Sequence, residues 1–286
     1  MTAEIMAQIR NQIHTFSKGQ RQIANYILEY YDKAAFMTAS KLGKTVGVSE
    51  STVVRFAVEL GFEGYPSMQK RLQEMVRNKL TSVQRIEVAN DRIGDQDVVS
   101  SVLQSDIDSI RMTAESLDRG EMAASVDAIL KAGTIYILGV RSSAALASFL
   151  NFYFRNIFEN VRLVSSTATS EIFEQLLHVS KGDVLIGISL PRYSGRTVKA
   201  MQYAKDSGAT VIAITDKEEA PAGKVADHVL MAKSDMVSVV DSLVAPMSVV
   251  NALIVSVGRS KKQQLSKTFE DLERIWDEYE VYERVE

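Results

Sequence analysis

Cysteine is absent from the 286 residues, and there are only three histidines. The first absence excludes disulfides and thiolate metal sites. The scatter of the histidines offers no ligand spacing for zinc, so neither a metal nor a cofactor is expected. A long unbroken apolar run is missing too. The nearest approach, VVDSLVAPMSVVNALIVSVG at 239–258, is interrupted by Asp241, Pro246 and Asn251 and reads as a helix buried in protein, with no membrane partner. The opening MTAEIMAQIRNQIHTF carries charge within its first turns and lacks the apolar core of a signal peptide. The expected compartment is therefore the cytoplasm, which a chain without cysteine also suits. Internal repeats and low-complexity stretches are likewise lacking. What remains, 46% hydrophobic and 24% charged residues, is the balance of a globular chain whose length calls for two domains.

Charge is divided unevenly. Residues 1–85 hold twelve Lys and Arg against seven Asp and Glu, a surplus of +5, so the remainder carries −8 of the overall −3. A basic head for a polyanion followed by an acidic body is the simplest reading. Spacing supports it. Ile5, Ile9, Ile13 and Phe16 form one helical stripe, and Ser17 with Gln20 makes a capping-box start for a helix carrying Ile23, Ile27 and Tyr31. In TASKLGKTVGVSESTVVRFAVELGF, residues 38–62, Thr38 caps a short helix, Gly47 permits a sharp turn, and Ser49 caps a further helix ending at Gly61. Val53, Phe56, Ala57 and Leu60 recur at core spacing, which leaves Ser51 and Arg55 together on the opposite face.

This is helix-turn-helix spacing, with the second helix placed to enter a major groove. Arg55 can read guanine O6 and N7 with its fork, Ser51 and Thr52 can reach a phosphate or a base edge, and Lys44 and Ser49 suit phosphate. With Thr38 these complete the candidate DNA-binding set. Residues 78–125 hold a connector helix in which Val99, Val102, Leu103, Ile107, Ile110 and Leu117 keep a helical rhythm, for packing on the second domain or on a partner subunit.

From residue 126 the pattern alternates. TIYILGV (134–140), VRLVSS (161–166), VLIGISL (184–190), TVIAITD (210–216) and HVLMA (228–232) are short apolar strands separated by helix-length segments, the mark of a five-stranded parallel α/β sheet covered on both faces. Ligands of such sheets lie beyond the carboxyl ends of the strands. There stand GVRSSAAL (139–146) and SLPRYSGRT (189–197), each feeding hydroxyls into a helix start where free N–H groups favour an anion. A Walker A loop does not fit: Gly187 and Gly195 are too far apart, and Arg196 occupies the lysine position. A dinucleotide fingerprint fails as well, since GVRSSA offers Gly139 alone. Serines that merely cap two helices are the bland alternative.

With these motifs in this order, the chain resembles the RpiR family of bacterial transcription regulators, over nearly its whole length. The residues that carry the resemblance are SKGQRQIANYIL and VGVSESTVVRFAVELGFEGYPSMQKRL in the head and ILGVRSSAAL, ISLPRYSGRT and ATVIAITD in the body. It implies an all-α helix-turn-helix domain (1–77), a connector (78–125), a sugar isomerase (SIS) domain of Rossmann-like three-layer build (126–260) and a C-terminal helix (261–286). It also implies an effector, a phosphorylated sugar or sugar acid, that tunes binding to a double-stranded operator. Ser142 and Ser143 fall on the hydroxyl positions of the first SIS loop, Ser194, Gly195 and Thr197 on its S-G-x-T loop, and Ser189 on an earlier loop serine. Arg141 departs from the small residue common in the first loop, and LPRY lengthens the second, bringing Arg192 close. Such an arginine could clamp a phosphate or carboxylate bidentately, or could simply be solvated. Both readings of Arg141 stay open here.

No catalytic residue is assigned. Glu171, His178 and His228 are the nearest acid–base candidates, and each has an ordinary structural explanation. The alternatives to a regulator are a sugar-phosphate isomerase with an accessory helical domain and a regulator whose SIS domain only dimerises. A homodimer or homotetramer is expected. The C-terminal TFEDLERIWDEYEVYERVE presents Leu272, Ile275, Trp276 and Tyr279 as a docking face, for the pocket or for a subunit seam.

Overall fold

The computed structural model describes residues 4–76, 81, 83–86, 97–166, 168–234 and 240–282. Contacts divide the chain into two compact units, Met1–Val102 with Met236–Asp241, and Leu103–Asp235 with Ser242–Glu286. The fold class is the one the sequence implies: a helical N-terminal unit and a five-stranded parallel sheet flanked by helices.

The first unit contains α1 (Glu4–Gln12), α2 (Lys18–Glu29), α3 (Tyr31–Ala34), α4 (Ala39–Val46), α5 (Glu50–Glu59) and α6 (Tyr65–Val76). The Ser17–Gln20 capping box opens α2, each partner closing onto the other's backbone N–H. Ile9, Ile23, Ile27, Leu42, Val53 and Phe56 lie in one core, with Phe16 edge-on to Phe56 at 5.1 Å between ring centroids. The Tyr65 hydroxyl donates to Met37 O at 2.6 Å, and burial pushes this phenol's pKa up. Asp241, which breaks the apolar run read from the sequence, pairs in this unit with the buried guanidinium of Arg85.

In the second unit the elements are α7 (Val98–Ser116, entering from the first unit), α8 (Arg119–Lys131), β1 (Ile135–Gly139), α9 (Ser143–Phe154), β2 (Val161–Val164), α10 (Thr169–Gln175), β3 (Val184–Ile188), α11 (Gly195–Asp206), β4 (Thr210–Thr215), α12 (Pro221–Val225), β5 (His228–Met231), α13 (Val244–Ser260) and α14 (Lys262–Glu278). Strand order is β2-β1-β3-β4-β5, all parallel. From β1 the chain crosses outward one way to β2, and from β3 it crosses the other way to β4. Right-handed crossovers then put α9 and α11 on opposite faces. The cores agree: Leu146, Leu150 and Phe154 of α9 pack with Ile129, Leu253 and Val257 on one face, and Met201 and Ala204 of α11 with Ile172 and Leu176 on the other.

The connector helix meets the sheet unit through polar groups. The face of α7 that meets the sheet unit is polar: Asp106 accepts from Ser242 Oγ at 2.5 Å, Thr113 Oγ1 accepts from Lys233 N at 2.9 Å, and Ser109 is buried. Val99, Leu103, Ile107 and Ile110 stay exposed, which leaves a partner subunit as the alternative for the apolar stripe; Leu117, just past the helix, joins the core of the sheet unit. These hydrogen bonds satisfy Asp106 and Thr113, whereas the buried Ser109 hydroxyl has no partner among the described residues.

At the opposite rim from the strand carboxyl ends, Asp183 holds the sheet entry together. Its buried carboxylate accepts from Thr134 N and Ser180 N, both at 2.9 Å, and from Ser180 Oγ at 3.2 Å. Asp183→Ala leaves those N–H groups without an acceptor and is expected to cost on the order of 2–3 kcal/mol, seen as a lowered thermal midpoint of the sheet unit. Asp183→Asn, which keeps one acceptor oxygen, recovers part of it.

Candidate functional site

Two places gather the residues that the sequence singles out. In the helical unit, Thr38 caps α4 by accepting from Lys41 N at 3.1 Å, and Ser49 caps α5 by accepting from Thr52 N at 3.3 Å. The turn is tight for a stated reason: a Cβ at Gly43 would stand 2.8 Å from Val48 O, and Gly47 takes a left-handed φ of 76°. Ser49 Oγ lies 2.9 Å from both Ser51 Oγ and Thr52 Oγ1, so three hydroxyls converge at the start of α5. Arg55 is exposed on the same outward face, its Nε donating to Ser51 O at 3.3 Å. Lys44 is exposed in the last turn of α4. Thr38 is not part of the hydroxyl cluster; its hydrogen bonding is local to its own helix.

Sequence reasoning passed over Val54 and Val58. Both are exposed, at 38% and 53%, on the face of α5 that carries Ser51 and Arg55. Exposed β-branched residues amid hydroxyls are suited to thymine methyl groups. An i, i+4 valine pair on the polar side of a helix was the available signal.

In the sheet unit, register does the positioning. Gly139 pairs with Ile188, so the loops after β1 and β3 leave the sheet side by side, at the point where the chain's crossovers diverge. That topological switch point is where open parallel sheets hold ligands. A Cβ at Gly139 would lie 2.5 Å from Ser143 O, so the start of α9 approaches the end of β1 more closely than any other residue would allow. Ser143 is buried there; Ser142 before it is exposed and makes no capping bond through its side chain. Opposite, Ser194 caps α11 by accepting from Thr197 N at 3.3 Å, and Ser194 N donates to Ser189 Oγ at 3.4 Å. Ser189 is buried, and its carbonyl accepts from Thr215 Oγ1 at 2.8 Å. Around Gly195 an added Cβ meets open space.

Three observations bear on what this rim can hold. Two 12-residue helices, α9 and α11, direct their N-termini to it from opposite faces of the sheet, which concentrates partial positive charge. The Thr197 hydroxyl is fully buried and, among the described residues, has no hydrogen-bond partner. Arg141 and Arg192 both adopt positive φ, 57° and 68°, and Glu280 is the one other non-glycine residue to do so among those described. Left-handed backbone costs a residue with a Cβ about 1–3 kcal/mol, and here it falls on the arginine of each loop. Tyr193 and Asp216 were missed: Tyr193 Oη donates to Asp216 Oδ1 at 2.7 Å and ties the β3 loop to the end of β4. Neither fits a phosphate motif, so only the strand order could reveal the pair.

Two of the three acid–base candidates lie elsewhere. Exposed His178 follows α10 on the way into β3, and His228 opens β5 with Nδ1 3.3 Å from Glu121 Oε2; both are at the amino-terminal rim. Glu171, in the first turn of α10 beyond the carboxyl end of β2, is on the same rim as the serine loops and is engaged by the Ser166 hydroxyl. Among the described residues no group of His, Asp and Glu is arranged to hold a metal ion, and no helix is long and apolar enough to cross a membrane.

Comparison with known proteins agrees with both halves. Residues 3–79 match the helix-turn-helix domain of the rpiR family, and residues 128–256 match the SIS domain. An uncharacterized HTH-type transcriptional regulator of Clostridium perfringens is 26% identical over 227 residues, 79% of this chain and 80% of the relative. The sugar isomerase domain of the RpiR transcription factor from Sphaerobacter thermophilus superimposes with a TM-score of 0.60 at 26% identity, over 63% of this chain and 99% of that one. Vibrio vulnificus NanR, solved in complex with ManNAc-6P, shares the fold over 96% of this chain and 99% of its own, with a TM-score of 0.59 at 21% identity. An rpiR-type helix-turn-helix followed by a SIS domain, in a chain whose relatives are HTH-type regulators, shows that the protein belongs to the RpiR family of transcriptional regulators.

Proposed function

We propose that the chain is a cytoplasmic, non-enzymatic regulator in which residues 1–77 bind an operator and residues 126–260 bind a phosphorylated sugar or sugar acid that changes operator affinity. The observation that carries the effector half is the switch-point rim, where the starts of α9 and α11 meet across the sheet with Ser142, Ser143, Ser189, Ser194, Gly195 and the partnerless hydroxyl of Thr197. A phosphate there receives main-chain N–H groups and serine hydroxyls, each charge-assisted bond contributing about 1.5–3 kcal/mol before desolvation. Arg141, exposed and held at positive φ on the first loop, supplies a fork for a second anionic group such as a sugar carboxylate. The histidines are distant from the rim, and Glu171, the acid–base candidate that stands on it, is engaged by the Ser166 hydroxyl.

On the DNA side, Ser51, Thr52 and Arg55 read bases while Lys44, Ser49 and Thr38 serve the phosphate backbone. The molecule acts as a homodimer or homotetramer, which repeats the recognition helix one DNA turn, about 34 Å, or a multiple away over a near-palindromic site. The exposed Val99, Leu103, Ile107 and Ile110 of α7 are one surface for that assembly.

A thermal-shift screen of phosphorylated sugars and sugar acids tests the effector half. A ligand at about a hundred times its Kd adds about 2.7 kcal/mol to apparent stability, and the same compound should shift operator binding in a titration. If no member of the panel raises the midpoint while operator binding is intact, the SIS domain is a dimerisation module only. Arg141→Ala should weaken a phosphorylated sugar acid about tenfold or more and leave a neutral phosphosugar nearly unaffected; equal affinities for the variant and the parent remove the clamp.

A further inference from the structure

The last helix is amphipathic, and among the described residues its own chain covers the apolar face only in part, with Leu265 packed against the sheet unit's core. None of the residues of α14 is buried. Leu265, Phe269, Leu272, Trp276 and Tyr279 recur at alternating steps of four and three, the seam of a coiled coil. At the helix start this seam opens into a groove of about 1070 Å³, lined by Gly258, Arg259, Lys262, Leu265, Ser266 and Phe269 among others. At the far end Trp276 stacks edge-on to Tyr282 at 5.3 Å, while Ile275 and Tyr279 are 43% and 72% exposed.

Charge says what covers it. Lys261, Lys262 and Lys267 precede the middle of the helix, with no acid until Glu270. From there to its end come Glu270, Asp271, Glu273, Asp277 and Glu278 against Arg274 alone, with Glu280 just beyond. This order opposes the helix's own dipole, which favours acids at the start and bases at the end; the first turn has no acid and the last no base. An antiparallel copy of the same helix reverses the mismatch. It sets each lysine-rich start beside the other's acidic end, aligns the two dipoles head to tail, and buries both seams.

We propose that α14 pairs antiparallel with α14 of a second copy of this chain, Leu265 facing the copy's Trp276 and Phe269 its Leu272. The pairing rests on the homo-oligomer inferred above and assigns it a surface apart from both the operator and the effector sites. Because the chain has no cysteine, introduced thiols are the sole ones present. Full-length Ser266→Cys and Glu273→Cys chains, carrying tags of different size, are mixed and treated with a short bis-maleimide. The expected product is the mixed cross-linked dimer, exceeding either like-with-like dimer.

Dominant like-with-like products, with Ser266→Cys joined to itself, mean a parallel pair and overturn the proposal. A chain that sediments as a dimer yet gives no cross-link also overturns it, while leaving the oligomer reading intact; a monomer at micromolar concentration defeats both. Charge reversal supplies a second readout, with Lys262 one seam step before Leu265 and its stem lining the groove. Lys262→Glu with Lys267→Glu should weaken the dimer about tenfold at low salt, the sum of a few exposed ion pairs. Adding Glu273→Lys and Asp277→Lys should recover most of that loss. A dimer unmoved by the first pair, or not rescued by the second, argues against antiparallel pairing.

Discussion

Gly43→Ala is expected to cost the helical unit its selective hold on DNA, about a hundredfold in operator affinity, while the sheet unit keeps its affinity for effector. The added Cβ would sit 2.8 Å from Val48 O and 3.3 Å from Ser49 C, both main-chain atoms that cannot swing aside as a side chain could. The turn must open instead, and with it moves Ser49, the residue that starts α5. Overpacking of this kind costs about 1–3 kcal/mol in stability. Displacing the helix also costs the base contacts of Arg55, worth about 1–3 kcal/mol of discrimination for a good bidentate pair.

Gly47→Ala is the informative comparison. An added Cβ there meets nothing within 4 Å, although φ is 76°. That change carries only left-handed strain, about 1–2 kcal/mol, so it should lower the thermal midpoint and leave base preference intact. Binding of operator and of scrambled duplex, followed by fluorescence anisotropy at fixed salt, separates the two outcomes. Operator affinity unchanged in Gly43→Ala would mean that the turn does not place the reader. Arg55→Ala, which leaves the turn alone, should lose preference among sequences but keep the salt-dependent binding that phosphate contacts give.

The DNA-reading unit was legible because its determinants are local. Thr38, Ser49 and the Ser17–Gln20 box act on N–H groups three residues away, and the stripe of Val53, Phe56 and Ala57 follows from helical period alone. Five strands could likewise be read, each contained in an apolar run. Their order could not, since a crossover may return to either side of a strand. Yet it is the β1–β3 adjacency that sets the Ser143 and Ser194 loops together. For α7 the helical period picked out the apolar stripe but not what it faces: hydrogen bonds from Ser242 and Lys233 turn Asp106 and Thr113 to the sheet unit. The positive φ of Arg141 and Arg192 had no local sign, because neither is a residue that favours that region.

Thr197→Val should change apo stability and effector affinity in opposite senses, which few substitutions in a binding loop can do. The side chain is fully buried at the start of α11, and its hydroxyl has no partner among the described residues. An unpaired buried hydroxyl costs about 1–3 kcal/mol, so replacing it with a methyl group of the same shape should leave the unliganded midpoint unchanged or raise it. A phosphate oxygen that takes this hydroxyl's hydrogen in the complex would lose a charge-assisted bond, about 1.5–3 kcal/mol, or roughly tenfold to a hundredfold in Kd. Ser194→Ala cannot separate the two terms, because Ser194 also accepts from Thr197 N as the helix cap, a role worth about 0.5–2 kcal/mol by itself. Thr197→Ser keeps the hydroxyl and should keep the affinity. Calorimetry with the best ligand of the screen, beside thermal unfolding without ligand, reads both quantities; a Thr197→Val protein that is less stable when empty and binds normally would make this threonine a packing residue and empty the rim of its central contact. Linkage then fixes the regulatory consequence. Since a ligand shifts an equilibrium only by its differential affinity for the two states, weakening both states' hold on phosphate equally raises the effector concentration needed for a response. The full extent of the change in operator affinity at saturation stays the same.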